Sequence, residues 1–148
     1  MEEKRTYRVP VVIALVVVLL LLGINWGTQP FYTLQKDSVV PTKVSIIRAN
    51  ADGQEVVDLG GSKAQELKAC ARRAVLVWAG PAKAHYLAEG EALYHVTVAG
   101  NVGGEFTELC NVTADREGFV QTSRFRYRVV GASWWKSVEQ AFQTVSKS

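Results

Sequence analysis

Three arginines at alternate positions, Arg124, Arg126 and Arg128, form the strongest candidate for a binding surface. Side chains two residues apart on a strand point to the same side of a sheet, roughly 6.5–7 Å from one another. Three guanidinium groups in a row can bind carboxylates or phosphates in a forked geometry. The spacing predicts an anion- or partner-binding strip for a lipid headgroup, an anionic wall polymer or an acidic protein face. The alternative is a solvated face whose arginines pair with Glu105, Glu108 or other carboxylates, at little energetic gain.

Two cysteines, Cys70 and Cys110, both fall on predicted core-facing positions. Outside the cytoplasm, two such thiols can pair. A disulfide closing a loop of about 40 residues would stabilise the fold by roughly 3–4 kcal/mol. The sequence leaves open a Cys70–Cys110 disulfide and two buried free thiols that act as small apolar side chains. No nucleophile motif surrounds either cysteine, so neither is predicted to be catalytic.

Histidines and glutamates offer a weaker chemical signal. His85 and His95 lie across a predicted turn, but two ligands are too few for zinc unless Glu89 or Glu91 supplies another. The two glutamates flank Gly90, and a carboxylate pair can serve glycoside chemistry, although here they resemble loop charges. The sequence contains no nucleophile-elbow, phosphate-loop, zinc-protease or calcium-loop motif. We therefore predict no enzyme, no metal and no cofactor, with a hydrolase using Glu89, Glu91 or His95 as the weakest alternative.

Two tryptophans open the last predicted helix. Trp135, Val138, Phe142 and Val145 recur at helical spacing and form one apolar stripe. Trp135 is therefore predicted to face the core. Trp134 is predicted to be partly exposed, where it could contact a partner, with ordinary packing as the alternative.

The elements that must position these residues follow from periodicity. Short turns between the strands imply antiparallel pairing, because parallel strands need long crossovers. The predicted fold is α+β, in the order β-β-α-β-β-β-β-α, with an antiparallel sheet of about five to six strands covered on one face by two helices. Strands are predicted at 44–49, 55–59, 85–87, 93–99, 106–113 and 119–130, with a further extended stretch at 75–78. Helices are predicted to begin at Ser62 and Ser133.

An apolar run near the N-terminus predicts a membrane anchor. Val11–Leu22 is uninterrupted, and residues 9–26 would span about 27 Å as a helix. Lys4, Arg5 and Arg8 precede the run, which places the N-terminus in the cytoplasm and the remainder outside. A cleaved signal peptide is the alternative, but neither Leu21-Leu22-Gly23 nor Asn25-Trp26-Gly27 has small residues at both the −3 and the −1 position. The predicted domains are a cytoplasmic 1–8, a transmembrane helix at 9–26, a stalk at 27–43 and an extracytoplasmic domain at 44–148.

Composition limits the class of protein. The chain has 148 residues, which suits one domain, and 48% of them are hydrophobic, which excludes wholesale disorder. Its net charge of +3 is too small to indicate a nucleic-acid partner. Two cysteines and two histidines exclude a cysteine-rich zinc module.

The layout resembles a known class of bacterial protein. A basic N-terminus and one apolar span precede two strands joined by an Asp-Gly turn in Val44–Leu59, a helix capped at Ser62, several strands and an aromatic helix at Trp134–Val145. This is similar to small anchored or lipoprotein domains of unassigned function in Gram-positive, often spore-forming, bacteria. Those domains are often lipid-anchored through a cysteine that this chain lacks. The resemblance implies an anchored domain outside the cytoplasm and assigns a role to no residue.

Together these features predict a single-pass membrane protein with an extracytoplasmic binding or sensing domain and no catalytic activity. Its predicted partners are membrane lipid along residues 9–26 and an envelope protein or anionic surface, with no nucleic acid. The alternative function is an accessory subunit of a cell-envelope complex for secretion, division or sporulation, with the arginine strip as its docking surface.

Overall fold

The computed structural model of this chain describes residues 8–27, 29–84, 87 and 89–146. These residues contain three helices and seven strands. The helices are α1 (Arg8–Gly27), α2 (Gly61–Arg73) and α3 (Trp134–Ser146). The strands are β1 (Val40–Asn50), β2 (Gly53–Leu59), β3 (Val75–Pro81), β4 (Ala92–Val102), β5 (Glu105–Ala114), β6 (Phe119–Gln121) and β7 (Phe125–Val130).

The strands form a single seven-stranded sheet in the order β2-β1-β4-β5-β6-β7-β3. Every neighbouring pair is antiparallel. After β2 the chain passes through α2 and enters β3 at the far edge of the sheet. It then returns to the middle of the sheet through β4, which pairs with β1.

The sheet has seven strands rather than the predicted five to six, because β3 joins it and a side chain interrupts the run predicted at 119–130. The Thr122 hydroxyl accepts the backbone N–H groups of Arg124 and Phe125 at 3.3 and 3.1 Å. Such local hydroxyl bonds favour a turn over a continuous strand. The run is therefore a hairpin of β6 and β7, which puts Phe119 opposite Arg128 and away from the core face.

Two other extended stretches predicted from the sequence have different outcomes in the structure. The stretch predicted as extended at 75–78 is the edge strand β3. Of the strand predicted at 85–87, residues 85 and 86 lie outside the described part of the chain, and Leu87 is not in a strand.

Two helices cover one face of the sheet. The centres of β1, β4 and β5 contribute fully buried side chains, namely Val44, Ile46, Val96, Val98 and Val112. Helix α2 adds the buried residues Ala64, Leu67, Cys70 and Ala71, and α3 adds Trp134, Val138, Ala141 and Phe142. Ser133 caps α3 by accepting the N–H of Lys136 at 3.3 Å. Burial of these apolar side chains is the main term that holds helices and sheet together.

The segment before β1 is part of this core. Phe31, Leu34 and Val39 are fully buried, and the Phe31 ring lies 4.5 Å from that of Trp134. The Gln35 amide donates to the carbonyl of Ala71 at 2.7 Å, at the end of α2. The structure therefore places most of the predicted 27–43 stalk against the domain.

The predicted membrane anchor at 9–26 is wrong. Within the described ranges, no helix is both long enough and apolar enough to cross a membrane. The uninterrupted apolar part of α1, Val11–Leu22, rises only about 18 Å, whereas the hydrocarbon core of a bilayer is roughly 30 Å thick. The single-pass topology and the location deduced from it, with a cytoplasmic N-terminus and an extracytoplasmic domain, lose their support with it.

The predicted disulfide is also wrong, because Cys70 and Cys110 are both free thiols in the core. Cys70 lies on α2, which packs over β1, whereas Cys110 lies on β5, and β4 runs between those two strands. Neighbouring strands are about 4.8 Å apart, while a disulfide needs its Cα atoms within about 7 Å. Burial raises the pKa of the Cys110 thiol far above its ordinary value, and the nearby Glu108 charge adds to the effect.

Candidate functional site

A cleft of about 840 Å³ opens at one end of the sheet, and we refer to it as the sheet-end cleft. Antiparallel pairing brings the end of β1, the start of β4 and the end of β5 to this edge. Arg48 on β1 lies opposite Tyr94 on β4, which lies opposite Ala114 on β5. The first turn of α3 closes the cleft from above with Trp135. Its functional side chains are Arg48, Glu91, Tyr94, Asp115, Arg116, Glu117, Arg126, Trp135 and Glu139.

Asp115 and Arg126 form a nearly buried ion pair in the wall of the cleft. Their charged atoms, Asp115 Oδ2 and Arg126 Nη2, are 3.1 Å apart, and the two side chains are 12% and 13% exposed. Asp115 follows β5 directly, and its Oδ1 accepts the backbone N–H of Phe119 at 3.1 Å. Gly118, with φ +93°, allows the tight turn that brings Phe119 back to Asp115. This carboxylate is therefore committed to holding the turn and the arginine together.

An aromatic ring fixes the plane of the Arg126 side chain. The guanidinium carbon lies 3.7 Å from the centre of the Phe119 ring, and that of Arg128 lies 5.6 Å from the same ring. Arginine stacks on such a ring through the attraction between its charge and the π electrons. Glu117 contributes a longer, solvent-exposed contact to Arg126 at 3.8 Å. Arg126 is thus held on one face by Phe119 and at one edge by carboxylates.

A second aromatic group forms the opposite side of the cleft. The Tyr94 ring lies 4.7 Å from Trp135 and 5.6 Å from Phe142, both on α3. The guanidinium of Arg48 lies 5.9 Å from the centre of the Phe142 ring. Burial raises the pKa of Tyr94, Arg48 lowers it to a smaller extent, and Glu139 and Glu55 raise it. The Tyr94 phenol therefore remains a neutral hydroxyl over the physiological pH range.

Arg48 and Arg126 each keep an unsatisfied hydrogen-bond donor. The Nε atoms of Arg48 and Arg126 are buried and find no acceptor among the described residues. Leaving a buried donor unpaired costs about 1–3 kcal/mol, more when the group is charged. The indole Nε1 of Trp134 is buried and has no acceptor among the described residues, and Trp134 lines an adjoining cavity of about 310 Å³ that shares Asp115 and Trp135 with the cleft. Two of the three donors belong to arginines that line the cleft, where a ligand rich in acceptors could bind the guanidinium groups.

The charges in the cleft are mixed. Three arginines and four carboxylates line it, namely Arg48, Arg116, Arg126, Glu91, Asp115, Glu117 and Glu139. Four carboxylates would repel a polyanion, so a densely phosphorylated ligand fits poorly. A ligand that carries both hydrogen-bond acceptors and donors could satisfy the arginines and the glutamates together. The rings of Trp135 and Tyr94 supply an apolar surface beside these polar groups.

The structure keeps two arginines of the predicted strip on one strand and places the third in a turn. Arg126 and Arg128 share one sheet face, as their spacing predicts, but Arg126 turns onto Asp115 while Arg128 stays exposed. Arg124 lies in the turn between β6 and β7 and is exposed. That these arginines bind an anionic partner stays a prediction.

The other predicted site residues are dispersed. Trp134, expected to be partly exposed, is 1% exposed, and it is Trp135 that reaches the cleft. His95 lies on the sheet face away from the helices, with Nδ1 3.0 Å from the hydroxyl of Thr113. Glu91 borders the cleft and Glu89 lies in an exposed turn, whereas His85 lies outside the described residues.

No group of three or more histidine, cysteine, aspartate or glutamate side chains in the described ranges is arranged to hold a metal ion.

The sequence did not lead us to predict Arg48, Tyr94 or Asp115 as site residues. Arg48 carried a usable signal, because it is the one charge within the predicted strand 44–49. Asp115 lies between two predicted strands, 106–113 and 119–130, where a turn residue is expected. Nothing in the spacing of these three residues shows that they meet, since the order of the strands in the sheet brings them together.

Comparisons with known proteins found no match to this chain. No protein-family model, no curated protein and no solved structure matches this chain. The predicted resemblance to small bacterial envelope domains stays a prediction.

Proposed function

We propose that this protein is a non-enzymatic binding module that holds a small polar ligand in the sheet-end cleft. The observation that carries the proposal is that Arg48 and Arg126, each with a buried Nε donor that has no acceptor among the described residues, line the same cleft. A carboxylate or another strong acceptor bound to these guanidinium groups would offset the cost of their unsatisfied donors. The ligand class that suits the whole lining is a small zwitterion, such as an amino acid or a short peptide terminus.

The position of the acidic residues supports binding over catalysis. Asp115, the most buried carboxylate of the cleft, is occupied by Arg126 and by the N–H of Phe119. A general acid or base needs a carboxyl group that is free to exchange a proton with substrate. The cleft walls are instead preorganised by stacking and ion pairing, which lowers the entropic cost of binding.

The ligand class can be tested by calorimetry and thermal shift on the full chain. We expect zwitterionic amino acids and short peptides to stabilise the protein, and dicarboxylates or diamines of equal size to do so at least tenfold more weakly. A lysine at position 48 keeps the charge but loses the planar donor set. Arg48→Lys should therefore weaken binding about tenfold.

The matched control is Arg72→Lys, which makes the same change at an exposed helix residue outside the cleft. It should leave the affinity unchanged. If no zwitterion binds, or if Arg48→Lys binds as tightly as the unaltered chain, the cleft is not the ligand site.

A further inference from the structure

The edge strand β3 exposes an apolar surface on the side of the sheet that the helices leave uncovered. Val75 and Val77 are 61% and 50% exposed, and Val130, which pairs with Val75 on the neighbouring strand β7, is 47% exposed. We refer to these three residues as the β3 edge patch. Exposed apolar residues on an edge strand favour pairing with another extended chain.

The backbone of β3 also presents an acceptor outward. The N–H of Val129, the β7 residue opposite Leu76, donates to Gly118 on the side away from β3. Leu76 and Val129 therefore form a pair that does not exchange backbone hydrogen bonds. The Leu76 carbonyl points away from β7, in the plane of the sheet and toward its outer edge. The side-chain amide of Gln29 donates to that carbonyl at 3.3 Å. A single amide thus occupies a position that a partner strand would use.

Basic residues lie at both ends of β3. Arg72 and Arg73 are exposed in the last turn of α2, just before the strand, and Asp37 neutralises part of this charge through an exposed pair with Arg72 at 2.9 Å. At the other end, the N–H of Ala82 donates to the carbonyl of Arg124 at 2.9 Å. Lys83, which follows β3, therefore lies close to Arg124, which precedes β7, and both residues are exposed.

This charge distribution disfavours a second copy of the chain as the occupant. If two β3 strands paired in antiparallel fashion, the Arg72–Arg73 end of one would face the Lys83–Arg124 end of the other. Parallel pairing would bring identical basic ends together. Like charges placed opposite each other across strands are destabilising.

We propose that β3 is a docking edge for an extended segment of a partner protein, with an apolar β-branched centre and acidic residues at both ends. The segment would add as an eighth strand, through main-chain hydrogen bonds that include the Leu76 carbonyl. Its centre would cover the β3 edge patch, and its ends would meet Arg72, Arg73, Lys83 and Arg124. This surface is separate from the sheet-end cleft and independent of its ligand.

The test uses the full chain and a fluorescein-labelled peptide of alternating valine and threonine with two glutamates at each end. Fluorescence anisotropy should show binding at least tenfold tighter than that of the same peptide with lysines at its ends, and the difference should shrink in high salt. Equal binding of the two peptides, or no binding of either, would overturn the proposal.

Variants on the two edges of the sheet provide a matched pair. Val77→Asp, at an exposed position of β3, should weaken peptide binding at least tenfold. Val56→Asp makes the same change on the opposite edge strand β2, where Val56 is also exposed, and should change the affinity less than twofold. Gln29→Ala, which frees the Leu76 carbonyl, should bind at least as tightly as the unaltered chain. Equal losses in the two aspartate variants would refute the docking edge.

Two further results would also count against this occupant. Concentration-dependent dimerisation that Val77→Asp abolishes would identify a second copy as the partner. Binding to phosphatidylglycerol vesicles that is lost in Val77→Asp, while the acidic peptide fails to bind, would identify a lipid surface. Neither result would bear on the cleft, whose test uses small ligands and position 48.

Discussion

At the scale of single residues, the Asp115–Arg126 pair shows how a chemical feature arises from a turn. The two residues are 11 positions apart, and they meet because the chain reverses twice between them. Each has several partners: Asp115 accepts from Phe119 and Arg126, while Arg126 also stacks on Phe119. A charge removed from such a nearly buried cluster leaves its partner uncompensated.

Asp115→Asn should therefore lower the free energy of unfolding by about 3–5 kcal/mol, as measured by urea denaturation. The control is Glu117→Gln, which removes the second carboxylate near Arg126. Because Glu117 is 78% exposed and its contact is 3.8 Å long, this change should cost less than about 1 kcal/mol. Similar losses in the two variants would show that the Asp115 pair has no special role.

The two thiols provide a second prediction at this scale. Cys70 and Cys110 are buried, and burial raises the pKa of Cys110, so little thiolate is available for reaction. We expect a thiol reagent at pH 8 to label neither cysteine in the folded protein and both in urea. The intact mass without reductant should be that of two free thiols. A mass lower by two hydrogens would instead show that Cys70 and Cys110 form a disulfide.

At the scale of elements, the contact between β1 and β4 depends on a residue without a side chain. Gly100 on β4 pairs with Pro41 on β1, next to an irregularity in the register. A Cβ atom at Gly100 would lie 2.2 Å from the carbonyl oxygen of Val40 and 2.7 Å from the Cα of Pro41. Both contacts are with backbone, so the strands themselves would have to separate.

Gly100→Ala should destabilise the protein by about 1–3 kcal/mol or more, as expected for an overpacked site. Gly61→Ala is the control, because its added Cβ would lie 3.9 Å from the Thr42 carbonyl oxygen, at ordinary contact distance. Gly61 lies in the first turn of α2, where alanine favours the helix and should be neutral or slightly stabilising. Thermal unfolding of the two variants compares them directly.

At the scale of the whole molecule, the sheet consists of two parts joined by a short strand. β1 and β4 have 11 residues each and β5 has 10, whereas β6 has three. β5 and β6 are joined by two residue pairs, Thr113–Gln121 and Ala114–Val120. The Asp115–Phe119–Arg126 cluster lies at this junction and reinforces it.

Amide hydrogen exchange should reflect this division, because proteins open locally where few contacts hold an element. We expect the slowest exchange in the centres of β1 and β4 and faster exchange in β6, β7 and β3. Asp115→Asn should accelerate exchange in the second group by a larger factor than in the first. Uniform acceleration would mean that the sheet opens as one unit.

The N-terminal helix gives the last prediction. Its apolar side chains from Val9 to Leu22 are about half exposed, whereas the buried core begins at Phe31. Deletion of residues 1–28 should therefore change the free energy of unfolding by less than about 0.5 kcal/mol. Deletion through Val39 removes Phe31, Leu34 and Val39, each contributing about 1.5–3 kcal/mol of burial, and should unfold or strongly destabilise the domain.

The sequence by itself determined the local elements. Period-two patterns located β1, β2, β4 and β5 to within a few residues, and the spacing of Val138 and Phe142 located α3, because each signal depends only on neighbours along the chain. Local patterns misled where a single feature was interpreted without its surroundings. The Thr122 turn split one predicted strand, and a twelve-residue apolar run was extended into an anchor.

Only the tertiary structure determined which distant residues come into contact. The order of strands in the sheet brings Arg48, Tyr94 and Asp115 to one end of the sheet, and it makes β3 an edge strand. It also pairs Arg126 with Asp115. Such contacts join residues far apart in the chain, and their energy depends on burial and geometry that no local pattern records.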